Sequence, residues 1–241
     1  MSKPTLRVSE IFGPTIQGEG TLIGMPTLFV RTGGCDYRCS WCDTPHAVLS
    51  VYRSRWKEMT PGEVLAELHK RQAPPFLVTL SGGNPAIQGG LSQLLDLGHA
   101  DGYTFAMETQ GSVPRAWFSK LDHLVLSPKP PSSGMATDLG ILRACAAAAP
   151  SSLTVKVVVF DAVDFAFAGT MFNAVPQAER VVQVGNRDWS PEVVPSASAL
   201  LVEMERLWGM VLDAAAWDPT WRTVRVLPQL HTMLWGNRVG V

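Results

Sequence analysis

Seven short runs rich in apolar and β-branched residues punctuate the chain: Thr27–Thr32, Phe76–Leu80, Tyr103–Met107, His123–Leu126, Leu153–Phe160, Arg180–Gln183 and Thr223–Leu227. Such runs read as strands covered on both faces, where near-continuous apolarity replaces the alternation of a half-exposed strand. Segments with helical spacing lie between them. The clearest begins at Thr60-Pro61-Gly62-Glu63. Thr60 suits an N-cap, Pro61 the first helical position and Glu63 the far corner of a capping box; Val64, Leu65 and Leu68 then form an apolar stripe. Others run over Leu91–Leu97, Pro114–Leu121, Met135–Ala149, Val163–Phe172 and Ser198–Ala216. Strands alternating with helices predict an α/β fold with a parallel sheet. About six βα units fall short of the eight in a closed barrel, so the expectation is a partial, open βα barrel. A length of 241 residues and a hydrophobic fraction of 46% suit one domain spanning residues 1–241.

Net charge is −1, which gives no field to gather nucleic acid or an anionic membrane. No stretch reaches the ~20 apolar residues of a membrane span, and MSKPTLRVSE lacks the apolar run of a signal peptide. The expectation is a soluble, cytoplasmic protein with no nucleic-acid or membrane partner.

Three of the four cysteines fall in one stretch, Cys35-Asp36-Tyr37-Arg38-Cys39-Ser40-Trp41-Cys42. Clustered cysteines in a cytosolic chain point to metal or redox chemistry rather than disulfides. Structural zinc is four-coordinate and closed, and an electron-carrying iron–sulfur cluster also takes four thiolates. Three ligands on one loop leave one iron of a cluster open to a non-protein ligand. The other reading is a zinc site completed from afar by His46 or Cys145. Cys145 lies in an Ala-rich stretch and reads as a small buried core residue.

The polar and glycine-rich segments follow strands: the cysteine loop, Ser81-Gly82-Gly83-Asn84-Pro85, Glu108-Thr109-Gln110-Gly111, Ser127-Pro128-Lys129 and Gln183-Val184-Gly185-Asn186. Ligands of parallel α/β folds bind at the carboxyl ends of strands, so these segments describe one mouth. Gly82-Gly83 lets a ligand approach the backbone closely. Glu108 offers a carboxylate to a ribose or an amine. Lys129, on a proline-stiffened turn, is a point charge for a carboxylate. Trp41 either shields the cysteine site or packs in the core. Asp43-Thr44 offers oxygen ligands of the kind a hard cation takes, although Asp-Thr also suits a turn or a helix cap. Gln17 and Glu19, ahead of the first strand, offer donor and acceptor groups to a purine-like edge. Arg31, a charge in an apolar run, calls for a carboxylate partner from a ligand or from the protein.

Taken together these segments resemble those of radical S-adenosylmethionine (SAM) enzymes, and in detail the 7-carboxy-7-deazaguanine synthases. The resemblance is carried in order by Phe12–Gly20, Phe29-Val30-Arg31, Cys35–Thr44, Ser81–Pro85, Glu108–Gly111, Ser127–Lys129 and Val226-Leu227-Pro228-Gln229-Leu230-His231. It implies a radical SAM core with a 4Fe–4S cluster on Cys35, Cys39 and Cys42. SAM would lie against Trp41, Cys42, Asp43, Gly83, Ser127, Pro128, Lys129, Gln183, Val184, Gly185 and Asn186, with Mg2+ on Thr44; Glu108 joins this cofactor set on the reading of its strand-end carboxylate above. The substrate it implies is 6-carboxy-5,6,7,8-tetrahydropterin, held by Ile16, Gln17, Gly18, Arg31, Ser81 and the Val241 carboxylate, with His231 as a further site residue at a strand end; Glu19 joins them on the reading of its segment above. The implied reaction contracts the ring to 7-carboxy-7-deazaguanine with loss of ammonia, on the route to queuosine. SAM cleavage would initiate it and SAM would be regenerated. An external reductant such as flavodoxin and a homodimer are also implied. A different small radical SAM enzyme, such as one abstracting hydrogen from a partner protein, and a non-catalytic iron–sulfur or zinc module are the competing readings.

Overall fold

The computed structural model describes residues 4–186, 190, 193 and 196–240. In chain order its elements are β1 (Leu6–Ile16), β2 (Pro26–Thr32), α1 (Pro45–Val48), β3 (Lys57–Met59), α2 (Pro61–Arg71), β4 (Leu77–Gly82), α3 (Leu91–Asp101), β5 (Thr104–Thr109), β6 (His123–Leu126), α4 (Leu139–Ala147), β7 (Leu153–Val159), α5 (Ala162–Ala174), β8 (Glu179–Val184), α6 (Ala197–Trp217), β9 (Arg225–Leu227) and α7 (Leu230–Trp235). One sheet takes all nine strands in the order β3-β1-β2-β4-β5-β6-β7-β8-β9. From β2 to β9 every pairing is parallel, while β1 runs antiparallel to both β2 and β3. The edges β3 and β9 do not meet, so the barrel is open as expected.

All seven apolar runs became the parallel strands. The capping box formed as read: Glu63 N–H donates to Thr60 Oγ1 at 3.3 Å, and Thr60 N–H donates to Glu63 Oε2 at 2.7 Å. Two strands escaped the reading. β1 is long but half-buried, with register breaks between Val8 and Glu10 and between Phe12 and Thr15. Its pattern therefore shows no sustained alternation. The helix expected over Pro114–Leu121 is only a 3-10 segment, Ala116–Lys120.

The strands are not apolar on both faces. Successive side chains alternate across a strand. One row, with Leu28, Val30, Val78, Leu80, Phe105, Met107, Leu124, Leu126, Val155 and Val157, packs against Val64, Leu68, Leu94, Leu95, Leu142 and Phe172. The opposite row carries Arg31, Thr79, Ser81, Glu108, Ser127, Lys156 and Gln183. Registers such as Arg31↔Ser81, Glu108↔Val125↔Thr154 and Val158↔Gln183 set these side by side on the concave face.

Candidate functional site

The concave face holds a cavity of about 240 Å³. It is lined by the thiol-bearing residues Cys35, Cys39 and Cys42 and by the expected residues Ile16, Gln17, Gly18, Glu19, Arg31, Trp41, Asp43, Thr44, Ser81, Gly83, Glu108, Ser127, Lys129, Asn186 and His231. Pro128, Gln183, Val184 and Gly185 do not line it. Val241 lies outside the described residues.

The cysteine loop leaves β2 through Gly33-Gly34 and is tied down on two sides. On one side Asp36 accepts hydrogen bonds from Asn84 Nδ2 (2.8 Å), Gln110 Nε2 (2.7 Å) and Ser112 Oγ (2.6 Å). These donors belong to the turns after β4 and β5. Thr109 Oγ1 donates to Asn84 Oδ1 at 2.7 Å and completes the net. On the other side Ser40 N–H and Oγ donate to the Ser133 and Ser132 carbonyls, and Tyr37 Oη donates to the Ala136 carbonyl at 2.6 Å. Trp41 Nε1 donates to Ser132 Oγ at 3.1 Å, and its ring tilts against Phe160 with centroids 5.4 Å apart. Trp41 thus packs and faces the cavity at once. Asp36, Asn84, Gln110 and Ser112 were not singled out from sequence as the loop's anchors. The clue was the recurrence of polar residues at successive strand ends.

The donor set fits a cluster better than zinc. Cys35, Cys39 and Cys42 bring three thiols to the cavity from one loop, one short of the closed four-ligand set of structural zinc. Neither alternative fourth ligand joins them. His46 Nε2 is 3.2 Å from Glu10 Oε1, and Cys145 is buried in the outer core on α4. Burial pushes all three loop thiols up, Cys39 to about 11, while the Lys129 ammonium pulls the other way. Iron binding must therefore displace protons. Gln110 Nε2 also lies 3.5 Å from Cys35 Sγ, and Tyr37 N–H donates to the same sulfur at 3.4 Å.

The Gly-Gly turn after β4 serves this loop. Gly83 N–H donates to the Thr32 carbonyl at 3.1 Å and Asn84 N–H to the Gly34 carbonyl at 2.8 Å. A Cβ on Gly83 would collide with the Gly34 carbonyl oxygen, and one on Gly82 (φ +125°) with the backbone of Thr32. Gly185 likewise faces the Phe160 ring, which occupies the space of a side chain.

The far wall carries charge. Lys156, 1% exposed, pairs with Glu108 at 2.7 Å and with Glu19. Glu19 also accepts from Gln229 Nε2 at 2.8 Å. Burial drives Lys156 toward its neutral form, but the carboxylates of Glu108 and Glu19 outweigh burial and hold it charged. Burial likewise raises Glu19, and Lys156 and His231 overcome this to hold it well below the usual range. In the sequence Lys156 is only an interruption of an apolar strand; its two partners lie far from it along the chain. His231 sits in the first turn of α7, not at a strand end, because Gln229 and Leu230 turn the chain into a helix directly after β9. The His231 ring fills the space beside Gly18, where no side chain fits. Among the described residues Glu19, Asp43 and His231 bring one donor atom each within 4.8 Å. The Lys156 ammonium already balances the Glu19 charge, so this trio is a polar contact rather than a cation cage, and the Glu19 oxygens keep acceptor sites to spare.

Arg31 has a protein partner: its Nε lies 2.6 Å from Glu10 Oε1. Burial raises Glu10, but the His46 hydrogen bond and the Arg31 charge outweigh it and hold it low. The guanidinium lies over the Phe12 ring and still faces the cavity. Lys129 Nζ is 3.2 Å from Ser127 Oγ and 5.8 Å from the Trp41 ring centre. Thr44 stands at the N-cap of α1 without using its hydroxyl as a cap. Ser81 Oγ and both amide atoms of Gln183 are buried without a hydrogen-bond partner.

The loop net gives one prediction here. Asp36→Ala strips partners from Asn84 and Gln110 and is expected to loosen the loop by about 2 kcal/mol. Iron bound after reconstitution should fall, and visible absorbance should bleach faster than in the unaltered protein. Asp36→Asn should lie between the two. Unchanged iron content in Asp36→Ala would refute the anchoring role.

A profile of the radical SAM superfamily matches residues 29–127. The 7-carboxy-7-deazaguanine synthase of Bacillus subtilis (strain 168) is 41% identical over 240 residues, covering 97% of this chain and 98% of the relative. That of Bacillus cereus is 40% identical over 243 residues, covering 100% of each. Among solved structures, QueE from Escherichia coli superposes with a TM-score of 0.70 at 22% identity, over 94% of this chain and 95% of that one. Streptococcus suis SuiB bound to S-adenosylmethionine gives 0.54 at 12% identity, over 81% of this chain and 45% of that one. These two likenesses speak for the fold, which is that of the radical SAM core. The near-complete match to the two Bacillus enzymes goes further: the chain belongs to the 7-carboxy-7-deazaguanine synthases, a family of radical SAM enzymes.

Proposed function

We propose that the chain converts 6-carboxy-5,6,7,8-tetrahydropterin to 7-carboxy-7-deazaguanine with loss of ammonia. The observation that carries this reading is the meeting, in one cavity, of the three-cysteine loop with a wall of Gln17, Glu19, Arg31 and His231. When bound, a 4Fe–4S cluster and SAM supply hydrogen-atom abstraction after one-electron reduction. Cys35, Cys39 and Cys42 hold the cluster. Gly83 and the Ser127-Pro128-Lys129 turn hold SAM, with Lys129 as the charge for its carboxylate. Asn186 extends that side along the cavity, whereas the Gln183 amide, buried without a partner, does not line it. Trp41, backed by Phe160, keeps water from the cofactor.

On the substrate side Ile16, Gln17, Gly18 and Ser81 meet the pterin, and Glu19 accepts from its N–H edge. Glu108, expected on the SAM side, is joined to Glu19 through Lys156 and is read here as a substrate-side acceptor instead. Arg31, held by Glu10, turns its guanidinium toward the substrate carboxylate. Thr44, whose hydroxyl makes no helix cap and lies 3.8 Å from Cys42 Sγ, would be the protein ligand of Mg2+, which would orient substrate oxygens. A reductant such as flavodoxin and a homodimer complete the proposal.

Mass spectrometry of an anaerobic reaction tests it, using reconstituted protein, SAM, Mg2+, a reductant and 6-carboxytetrahydropterin. The expected result is a product with the mass of 7-carboxy-7-deazaguanine that is absent when SAM is omitted. Cleavage of SAM with the pterin untouched would overturn the substrate assignment and leave the cofactor assignment standing.

A further inference from the structure

The Lys156 ammonium is the most deeply enclosed charge on the concave face, and the chemistry above gives it no part. It sits mid-strand on β7, whose seven residues are all buried. Charged groups approach it from several elements. Glu108 comes from β5, and Glu19 from the turn that follows β1. His231 on α7 comes next, with Nε2 4.0 Å from Glu19 Oε1, and Asp43 from the cysteine loop lies beside Glu19 and His231. Gln229 adds a neutral amide on Glu19. Both carboxylates line the cavity, and so does Lys156 itself.

A lysine enclosed to this degree needs its counter-charges, but one carboxylate would suffice to balance it. Two leave the group with a net negative charge at the wall of a ligand cavity. Two carboxylates this close repel each other, and without a cation one of them takes up a proton. A protonated carboxyl is a donor as well as an acceptor, which is the wrong partner for an N–H-rich edge. We propose that Lys156 is a positioning residue. It bridges Glu19 and Glu108 at the cavity wall and keeps both as acceptors aimed at the N–H edge of a 2-amino-pyrimidinone ring. This rests on the substrate reading above. It gives Lys156 a role in recognition and no direct part in radical chemistry.

The test uses Lys156→Met, which keeps the length of the side chain and removes its charge. The probe is 6-carboxypterin, the fluorescent oxidised analogue of the substrate, titrated into reconstituted protein with SAM present. Visible absorbance and thermal midpoint report the fold. The variant is expected to bind the probe at least about tenfold more weakly at neutral pH, the equivalent of one hydrogen bond to a charged acceptor. The sign of the pH dependence is set by the carboxylate that gains a proton. As pH falls, more of the variant carries the protonated pair, so its deficit relative to the unaltered protein should widen between about pH 7.5 and pH 5.5. His231 faces Glu19 at 4.0 Å, so the comparison is repeated with His231→Gln in both proteins to separate its charge from that of the carboxylates.

Lys156→Met carries two unbalanced carboxylates and is at risk of unfolding. The double variant Glu19→Gln/Lys156→Met restores the net charge of the group and removes the repulsion. It should fold and still bind weakly, because one acceptor carboxylate is gone. Binding equal to the unaltered protein in either variant would overturn the proposal, and so would a deficit in Lys156→Met that does not change with pH. If the unaltered protein neither binds 6-carboxypterin nor converts the tetrahydropterin, the substrate reading fails first and takes this one with it. Normal conversion by the unaltered protein, with no effect of Lys156→Met, removes only the role of Lys156.

Discussion

Cys35→Ala is expected to abolish both iron–sulfur reconstitution and turnover, whereas Cys145→Ala leaves both intact. The contrast follows from placement. Cys35 lines the cavity on a loop shared with Cys39 and Cys42, and with one thiolate removed two ligands cannot hold a four-iron cluster at its remaining corners. Cys145 is wholly buried on α4 among the side chains that pack that helix against the sheet. Its thiol is pushed up to about 11 by burial, so it behaves as a small apolar filler. Its replacement should cost about 1 kcal/mol of stability. Iron and sulfide content, visible absorbance and product formation measure the outcome. A Cys145→Ala protein that loses its iron would revive the four-ligand alternative. A Cys35→Ala protein that keeps activity would remove the cysteine loop from the chemistry.

Gly83→Ala should be nearly as damaging to the cofactor, although residue 83 donates no ligand to iron. A methyl group there meets the Gly34 carbonyl, with its carbon only 2.5 Å away, and the Ala47 carbonyl oxygen at 3.0 Å. Both obstacles are backbone and cannot swing aside. Overpacking against a fixed neighbour costs about 3 kcal/mol. The strain falls on the segment that carries the chain from β2 to Cys35, so iron retention should fall further than the melting temperature alone implies. Gly89→Ala is the matched control, since a Cβ there meets nothing within 4 Å. Equal iron content in the two variants would show that the turn after β4 does not set the loop.

The parallel sheet was legible because its strands are short, rich in β-branched residues and separated by helical patterns. The strand order could be anticipated only as far as successive βα units lie side by side. β1 hid because its pairing with β2 is interrupted and its side chains are half-covered. α7 hid because a few residues, Leu230–Trp235, are too short to show a period. Most expected ligand-binding residues do meet in one cavity, since the rule that places sites at the carboxyl ends of strands depends on topology alone. The partners of those residues were not legible. Arg31 finds Glu10 across the β1–β2 pairing, Asp36 gathers three donors from two later turns, and Lys156 finds Glu19 at a separation of 137 residues. Pairings of this kind depend on which strand faces which and leave no periodic trace along the chain. The reading of Gly82-Gly83 as room for a ligand was incomplete for a related reason: at Gly83 the nearest neighbour is the protein's own backbone.

The hydrogen bond from Gln229 to Glu19 spans 210 residues, and Gly236–Gly240 lie along the same cavity as Ile16–Glu19. On a ribosome, therefore, the cysteine loop and the first five parallel strands can emerge and pair while the cavity still lacks a wall. Contacts of such sequence separation form late, after the loop-closure entropy of the intervening chain has been overcome. A nascent chain stalled before Gln229 would expose the Lys156 group to water and the thiols to oxidants, with no closed chamber for either ligand. A fusion partner appended beyond residue 240 would be felt at the ligand cavity sooner than one placed on any helix of the outer layer.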